Sequence, residues 1–263
     1  MRGYLNYTKI SMESILAYPF NQWMKFFSKV LFLVMQVCLW NALYQSNGQI
    51  STGHGFNETM SYVIVVNIVN TFMESNITAW LNNEIRTGDI VFDLMRPLNF
   101  ACMTFCKQMG ETLLNVIFQT LPLLLISLLL GKNIAFCNSR LGLFLISIAL
   151  GYIINFLYSY LVGIMAFWLI VTWPLNMLLS AVYKLLSGMW IPVFLFPEFL
   201  KSINNYLPFR YIYAVPAMIF TQYLSYEQIA NELTAQCLWA GIFFVTAAGV
   251  WYLGRKRMVV QGG

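Results

Sequence analysis

The sequence predicts an all-α membrane protein with six transmembrane helices. Hydrophobic residues make up 59% of its 263 residues and charged residues 10%, whereas a soluble domain uses about 25% charged residues to cover its surface. Aromatic residues make up 17%, and Trp and Tyr favour the headgroup zone of a bilayer. The mean hydropathy is +0.67. A chain this apolar is expected to be surrounded mainly by lipid.

The N-terminal residues 1–25 predict an amphipathic helix that lies in the membrane interface. Their apolar side chains recur every three or four positions, with Lys9, Glu13 and Lys25 among the polar residues between them. This pattern is typical of interfacial helices, and Pro19 is expected to bend the helix.

Six apolar runs predict the membrane spans, because a helix needs about 20 apolar residues to cross ~30 Å of hydrocarbon. In chain order we place them near residues 26–45, 58–80, 107–130, 142–168, 174–191 and 234–253. Of the 15 Lys and Arg residues, ten fall on the side of the N-terminus, four on the opposite side and one, Lys184, inside a span. Basic residues are enriched on the cytoplasmic side, so both termini are predicted to be cytoplasmic. The net charge of +5 is therefore a topology signal and indicates no nucleic-acid partner.

The cytoplasmic segment 82–100 is predicted to contain a short helix near residues 90–95. Gly88 ends the preceding helix, Asp89 is a favourable N-cap for the next, and Pro97 stops it. A helix of two turns is unstable alone and must dock on something. Its spacing leaves two alternatives open, namely the membrane surface and a groove on a soluble partner.

The segment 188–216, between the fifth and sixth spans, predicts a re-entrant or external helical cap. Gly188 and four prolines prevent one continuous helix: Pro192, Pro197, Pro208 and Pro216. Short helices at membrane depth are tolerated only where protein covers them or where they line a cavity.

Two predicted spans carry stripes of polar residues on one face. The second span has Asn67, Asn70 and Glu74, and the fifth has Asn176, Ser180 and Lys184. A charge facing lipid at mid-bilayer costs about 2.5–3.5 kcal/mol, so these stripes are expected to face protein or water. Interhelical hydrogen bonding is one interpretation. The other is a substrate cavity, in which Glu74 and Lys184 form a salt bridge.

The sequence offers no sign of catalysis or of a bound cofactor. It has no GxxxxGK[ST] loop for a nucleotide phosphate. The five cysteines form no metal-binding pattern, and the single histidine, His54, has no partner ligand nearby in the sequence. We therefore predict that the chain is no enzyme and holds no metal.

Four segments together resemble the membrane subunit of ABC-2-type exporters, the small six-span permeases. Residues 84–97 (EIRTGDIVFDLMRP) are similar to the family's cytoplasmic loop, E-I-x-x-G-x-[IV]-x-x-x-L-x-[RK]-P. Residues 163–168 (GIMAFW) resemble the end of the fourth span. Residues 187–197 (SGMWIPVFLFP), and 207–211 (LPFRY) followed by Pro216, resemble the signature after the fifth span. The resemblance covers roughly residues 1–255.

The resemblance implies one ABC-2-type transmembrane domain over 1–263, in which residues 1–25 are the connecting helix. The coupling residues that dock on the ATPase would be Glu84, Arg86, Gly88, Asp89, Leu94, Arg96 and Pro97. The external gate would comprise Gly188, Pro192, Pro197 and Pro208. The partners implied are ABC ATPase subunits, which hold ATP and Mg, a second permease subunit of the same or a paralogous chain, and membrane lipid.

The resemblance further implies export of a substrate from the cytoplasm across a bacterial cell membrane. The aromatic and Met-rich spans favour an amphipathic cargo such as a drug, a peptide or a lipid-like molecule. The alternative is a stand-alone secondary transporter driven by an ion gradient, with Glu74 or Glu111 carrying the proton. A scaffold or sensor is a third hypothesis, although it would not need the polar stripes.

Overall fold

The computed structural model describes residues 2–46, 55–130, 139–169 and 173–257. His54 and the last residues of the predicted domain lie outside these ranges. The described residues form helices and no strands. The α-helices are α1 (Arg2–Leu16), α2 (Pro19–Ser46), α3 (Phe56–Met73), α4 (Ile77–Thr87), α5 (Ile90–Leu94), α6 (Phe100–Asn115), α7 (Leu121–Leu130), α8 (Leu141–Ile164), α9 (Trp173–Leu186), α10 (Glu198–Asn205), α11 (Ala214–Phe220) and α12 (Tyr226–Arg255).

Four helical stretches in the described ranges are long and apolar enough to cross a membrane. They are Pro19–Ser46, Phe100–Ser127, Leu141–Phe167 and Tyr226–Arg255. They correspond to the first, third, fourth and sixth predicted spans. The stretch Phe100–Ser127 contains a π-helical turn at Val116–Thr120. The all-helical membrane class predicted from composition is confirmed at this level.

The second and fifth predicted spans are not single long helices. The helix expected across 58–80 is divided into α3 and α4. The helix expected across 174–191 is α9, whose 14 residues extend only about 21 Å at 1.5 Å per residue. The described part of α9, and α3 and α4 each taken alone, are therefore shorter than the hydrocarbon thickness of about 30 Å.

The N-terminal helix ends before Pro19, where a bend was predicted. Pro19 begins α2, a position that suits proline because the first helical N–H has no partner within the helix. Residues 19–25 consequently belong to the helix that continues into the first predicted span, and the part of the predicted interfacial helix that forms a separate helix is α1. On α1, the Thr8 hydroxyl donates to the Cys106 carbonyl at 3.0 Å and the Ser11 hydroxyl donates to the Lys107 carbonyl at 2.8 Å.

The helix α8 lies at the centre of the bundle and packs against α4, α11 and α12. The short helix α11 is the most deeply buried element. Its side chains at Ala214, Val215, Ala217 and Ile219 have no exposed surface. The sequence predicts that the cap ends at Pro216, but this residue lies within the first turn of α11, which continues to Phe220. Proline is tolerated there because the first turn needs no N–H donor.

Candidate functional site

The polar stripe of the second predicted span coincides with the break between α3 and α4. Glu74 has an extended backbone (φ −60°, ψ 131°), and α4 begins only after Asn76. The break exposes backbone carbonyls that a continuous helix would have satisfied. In a membrane, such groups need partners from neighbouring helices or from a water-filled cavity.

Asn155 supplies one of these partners from the middle of α8. Its side-chain amide donates to the Met73 carbonyl at 2.7 Å, at the last residue of α3. Its side-chain oxygen accepts a hydrogen bond from the Tyr183 hydroxyl of α9 at 2.8 Å. Asn155 therefore links three helices around the break.

Two lysines of α2 form ion pairs close to the break between α3 and α4. The Lys29 ammonium lies 3.2 Å from the Glu74 carboxylate, and the Lys25 ammonium lies 3.7 Å from the Glu111 carboxylate on α6. The Asn76 side chain also donates to Glu111. The four charged side chains are between 11% and 24% exposed. Each ion pair therefore places one positive and one negative charge together in a partly desolvated region.

A cavity of about 350 Å³ opens beside the break, between α3, α4, α8 and α9. Its wall is rich in hydroxyl, amide and charged groups. The polar side chains among its lining residues are Lys29, Asn70, Glu74, Ser75, Asn76, Thr78, Asn155, Tyr158, Ser159, Asn176, Ser180, Tyr183, Lys184 and Tyr213. Such a cavity, which lies among otherwise apolar helices, suits a ligand that carries polar or charged groups.

Five of the six residues predicted for a cavity lie together in its lining: Asn70, Glu74, Asn176, Ser180 and Lys184. The sixth, Asn67, is not in the lining. Its amide donates to the side-chain oxygen of Gln36 at 2.6 Å, and the Gln36 amide donates to the Met189 carbonyl at 3.3 Å. Asn67 thus makes an interhelical hydrogen bond, the other interpretation of the stripe.

The expected salt bridge between Glu74 and Lys184 is replaced by the pair of Glu74 with Lys29. Both lysines line the cavity, but no ion pair among the described residues joins Glu74 to Lys184. Neither Lys29 nor Asn155 is among the residues that the sequence predicts for the cavity. A single Asn within the apolar run of α8 was the available signal, since a buried amide requires partners.

The predicted coupling segment forms the expected short helix, α5. Gly88 has a φ of +83°, the left-handed conformation in which glycine ends helices without strain. Asp89 occupies the expected N-cap position but makes no side-chain cap. Its carboxylate instead accepts a hydrogen bond from the Thr87 hydroxyl at 2.7 Å. The local turn is therefore closed by two neighbouring side chains.

The two faces of α5 differ in exposure. Ile90 is 1% exposed and fixes the helix against the bundle, whereas Phe92 is 67% and Met95 is 78% exposed. The Arg96 guanidinium lies 3.2 Å from the Asp93 carboxylate and donates to the Tyr7 hydroxyl of α1. The other residues predicted for coupling, Arg86 and Pro97, are also exposed, and Leu94 is half-buried.

A second cavity, of about 440 Å³, separates α5 from α1, α4 and α6. Glu84 and Asp89 line it together with Lys107. The Lys107 ammonium lies 3.5 Å from the centre of the Trp80 ring. Burial raises the pKa of the Glu84 carboxyl above its usual value, while Lys107 acts in the opposite direction. Charged side chains of both signs therefore line the cavity between α5 and the rest of the bundle.

The predicted external gate begins at a tight turn. Gly188 has a φ of +79°, and its carbonyl accepts a hydrogen bond from the Tyr62 hydroxyl at 3.0 Å. Pro192 precedes the 3₁₀ turn Val193–Leu195 and Pro197 precedes α10. Pro208 likewise precedes the 3₁₀ turn Phe209–Tyr211. Each proline therefore marks the start of a short helical piece.

Comparison with known proteins agrees with this architecture. Residues 30–262 match the family model described as ABC-2 family transporter protein. No curated protein matches the chain. The family consists of membrane subunits that associate with ABC ATPase subunits. Because the match covers most of the chain, the protein belongs to the ABC-2 family of transporters and is a membrane-spanning permease subunit of an ABC transporter.

Proposed function

We propose that this permease subunit exports an amphipathic substrate, namely a drug, a peptide or a lipid-like molecule, from the cytoplasm. The observation that carries the proposal is the cavity of about 350 Å³ beside the α3–α4 break. Its polar wall, with the Lys29–Glu74 pair, suits the polar part of such a substrate. The apolar helices around it suit the remainder. Family membership favours this function over a transporter driven by an ion gradient.

The proposed arrangement has six spans with both termini in the cytoplasm of a bacterial cell. The second span would be formed by α3 and α4 together. The fifth would be formed by α9 with the segment that follows it. The packing of α4 and α11 against the central span α8 supports this proposal. A second permease subunit, identical or paralogous, would face this chain, and the transition between inward-open and outward-open states would be a rigid-body rearrangement.

The proposed contact with the ATPase is the exposed face of α5. Phe92 and Met95 present apolar surface there, while the buried Ile90 keeps the helix attached to the bundle. ATP and Mg would be held by the partner ATPase. The segment from Gly188 to Pro208 would gate the opposite end of the pathway.

The test combines purification with transport. The tagged chain is purified from its native membranes in mild detergent, and the retained proteins are identified by mass spectrometry. A near-stoichiometric ABC ATPase is expected. Efflux of three fluorescent amphipathic probes (rhodamine 6G, Hoechst 33342 and an NBD-labelled phospholipid) is then measured in cells with and without the chain. Lack of any difference in efflux for all three probes would overturn the proposed cargo class.

The variant Glu74→Gln tests the cavity, with Glu227→Gln as its matched control. Glu227 is exposed in the first turn of α12 and is not in the cavity lining. Glu74→Gln is expected to lower efflux at least about tenfold, equivalent to about 1.4 kcal/mol, while the ATPase remains bound. Efflux equal to wild type, or an equal loss in Glu227→Gln, would contradict the role of the cavity.

A further inference from the structure

A separate groove runs between α6, α8 and α12, away from the proposed substrate cavity. Its volume is about 480 Å³. The rings of Phe100 and Trp251 form part of the lining, stacked with their centres 4.7 Å apart and their planes at 3°. The groove has room between the helices because Ala101, Ala247 and Ala248 in its lining have small side chains. Because α6, α8 and α12 belong to candidate membrane spans, an opening between them meets hydrocarbon.

One end of the groove is positively charged. Among its described lining residues, Arg255 is the one charged side chain. Phe100, Ala101 and Cys102 also line the groove, and they form the first turn of α6. The positive dipole end of a helix attracts anions, although the Cys102 amide here already donates to the Asn99 side chain at 3.2 Å. The groove therefore joins an apolar floor to an end that attracts negative charge.

A buried hydroxyl in the same groove has no partner. Tyr160 lines it and is 2% exposed. Its hydroxyl makes no hydrogen bond within the described part of the chain. A buried donor without an acceptor destabilises the fold, so an oxygen acceptor from a bound molecule would be favourable here. The Tyr160 ring centre lies 6.1 Å from that of Trp251, and Arg255 is one helical turn further along α12.

We propose that this groove binds an anionic glycerophospholipid from the leaflet on the side of Arg255. An acyl chain lies along Phe100 and Trp251, the phosphate faces Arg255 and the first turn of α6, and an ester carbonyl accepts from the Tyr160 hydroxyl. The groove is also lined by Leu94, the last residue of α5. The bound lipid thus contacts the end of α5, and its presence favours the observed position of that helix. This inference does not depend on the identity of the exported substrate.

The test is native mass spectrometry of the full chain in detergent, titrated with phosphatidylglycerol or phosphatidylethanolamine of identical acyl chains. One tight adduct of phosphatidylglycerol is expected, favoured at least about five-fold over phosphatidylethanolamine, because a basic residue near an anionic headgroup contributes about 1 kcal/mol. Arg255→Gln is expected to abolish this preference. Lys256→Gln is the matched control, since Lys256 is not in the groove lining, although Lys256 and Arg255 both lie over the Tyr252 ring, at 4.1 Å and 5.3 Å.

A second pair of variants tests the apolar part of the groove. Ala248→Phe fills the groove and is expected to remove the adduct. Thr246→Phe adds a similar bulk to an exposed position of α12 outside the groove and is expected to retain it. Thermal melting curves establish that each variant is folded. Equal binding of the two lipids, an equal loss in Lys256→Gln, or an unchanged adduct in Ala248→Phe would overturn the proposal. The proposal would also be overturned if the wild-type protein bound a second copy of itself instead of a lipid and Ala248→Phe lost that copy.

Discussion

The Lys29 ammonium of α2 lies 3.2 Å from the carboxylate of Glu74, the residue that directly follows α3. Four residues earlier on the same face of α2, Lys25 lies 3.7 Å from Glu111 of α6. Residues four apart on a helix are neighbours on its surface. The two ion pairs therefore attach one face of α2 both to the α3–α4 break and to α6.

Exchange of the two charges tests the Lys29–Glu74 pair. Both side chains are partly exposed, so the pair is expected to stabilise the fold by about 1 kcal/mol. Lys29→Glu and Glu74→Lys are each expected to lower the Tm of the purified protein by about 2–4 °C, and the double variant should regain most of the loss. Lys184→Glu combined with Glu74→Lys is the control and should not recover stability. Recovery in that control would instead support the Glu74–Lys184 pair.

Replacement of Asn155 tests the link between α3, α8 and α9. Asn155→Leu leaves the Met73 carbonyl and the Tyr183 hydroxyl without their partner. Each buried polar group left unpaired costs about 1–3 kcal/mol, so a marked decrease in Tm is expected. Tyr183→Phe removes one of the two bonds and should cost less. The double variant should be little worse than Asn155→Leu alone. Additive losses in Tm would show that the two side chains act independently.

Gly188→Ala tests the turn at the start of the proposed gate. An added Cβ would lie 2.5 Å from the Tyr62 hydroxyl and 2.7 Å from the Val193 side chain. The left-handed backbone adds strain, so a destabilisation of about 1–3 kcal/mol is expected. The measurement is the Tm in detergent, with Gly249→Ala as control. Gly249 has no atom within 4 Å of an added Cβ and lies inside α12. Its replacement should leave the Tm unchanged or raise it.

Phe92→Ala tests the proposed ATPase contact. Exposed aromatic side chains commonly contribute a large share of binding energy at protein interfaces. The variant is expected to retain at least about tenfold less ATPase during purification, equivalent to about 1.4 kcal/mol, with an unchanged Tm. Phe199→Ala is the matched control, because Phe199 is 77% exposed on α10, in the predicted cap. If both variants retain as much ATPase as wild type, α5 does not form the contact.

Local signals were sufficient to predict α5 and its flanking turn. Gly88 has the positive φ that its sequence context indicated, and the helix Ile90–Leu94 falls within the predicted 90–95. The hydrogen bonds within that turn could not be predicted. The hydroxyl of Thr87 competes with the backbone amides for the carboxylate of Asp89, and spacing alone does not decide the outcome.

The partner of Glu74 could not be predicted, because it depends on tertiary packing. The stripe correctly indicated that Glu74 avoids lipid, since a charge there is costly. It gave no information on which lysine lies opposite. The break after Met73 has only a weak local signal, because residues 73–76 (MESN) contain neither Gly nor Pro, although the Ser75 hydroxyl accepts from the Ile77 amide at 3.3 Å at the start of α4. Asn155 and the other helices around the break stabilise it, and these contacts exist only once the bundle has formed.

Two tyrosines of α1 hold the linker between α5 and α6, and this contact affects how a displacement of α5 reaches α6. Tyr7 binds Arg96, and the Tyr4 hydroxyl accepts from the Asn99 amide at 3.0 Å, so α1 is fixed to the linker between α5 and α6. A peptide linker of five residues is compliant by itself and would absorb a small displacement of α5. Because a 15-residue helix holds this linker at Arg96 and Asn99, we expect a displacement of α5 to reach α6 instead of being absorbed between them.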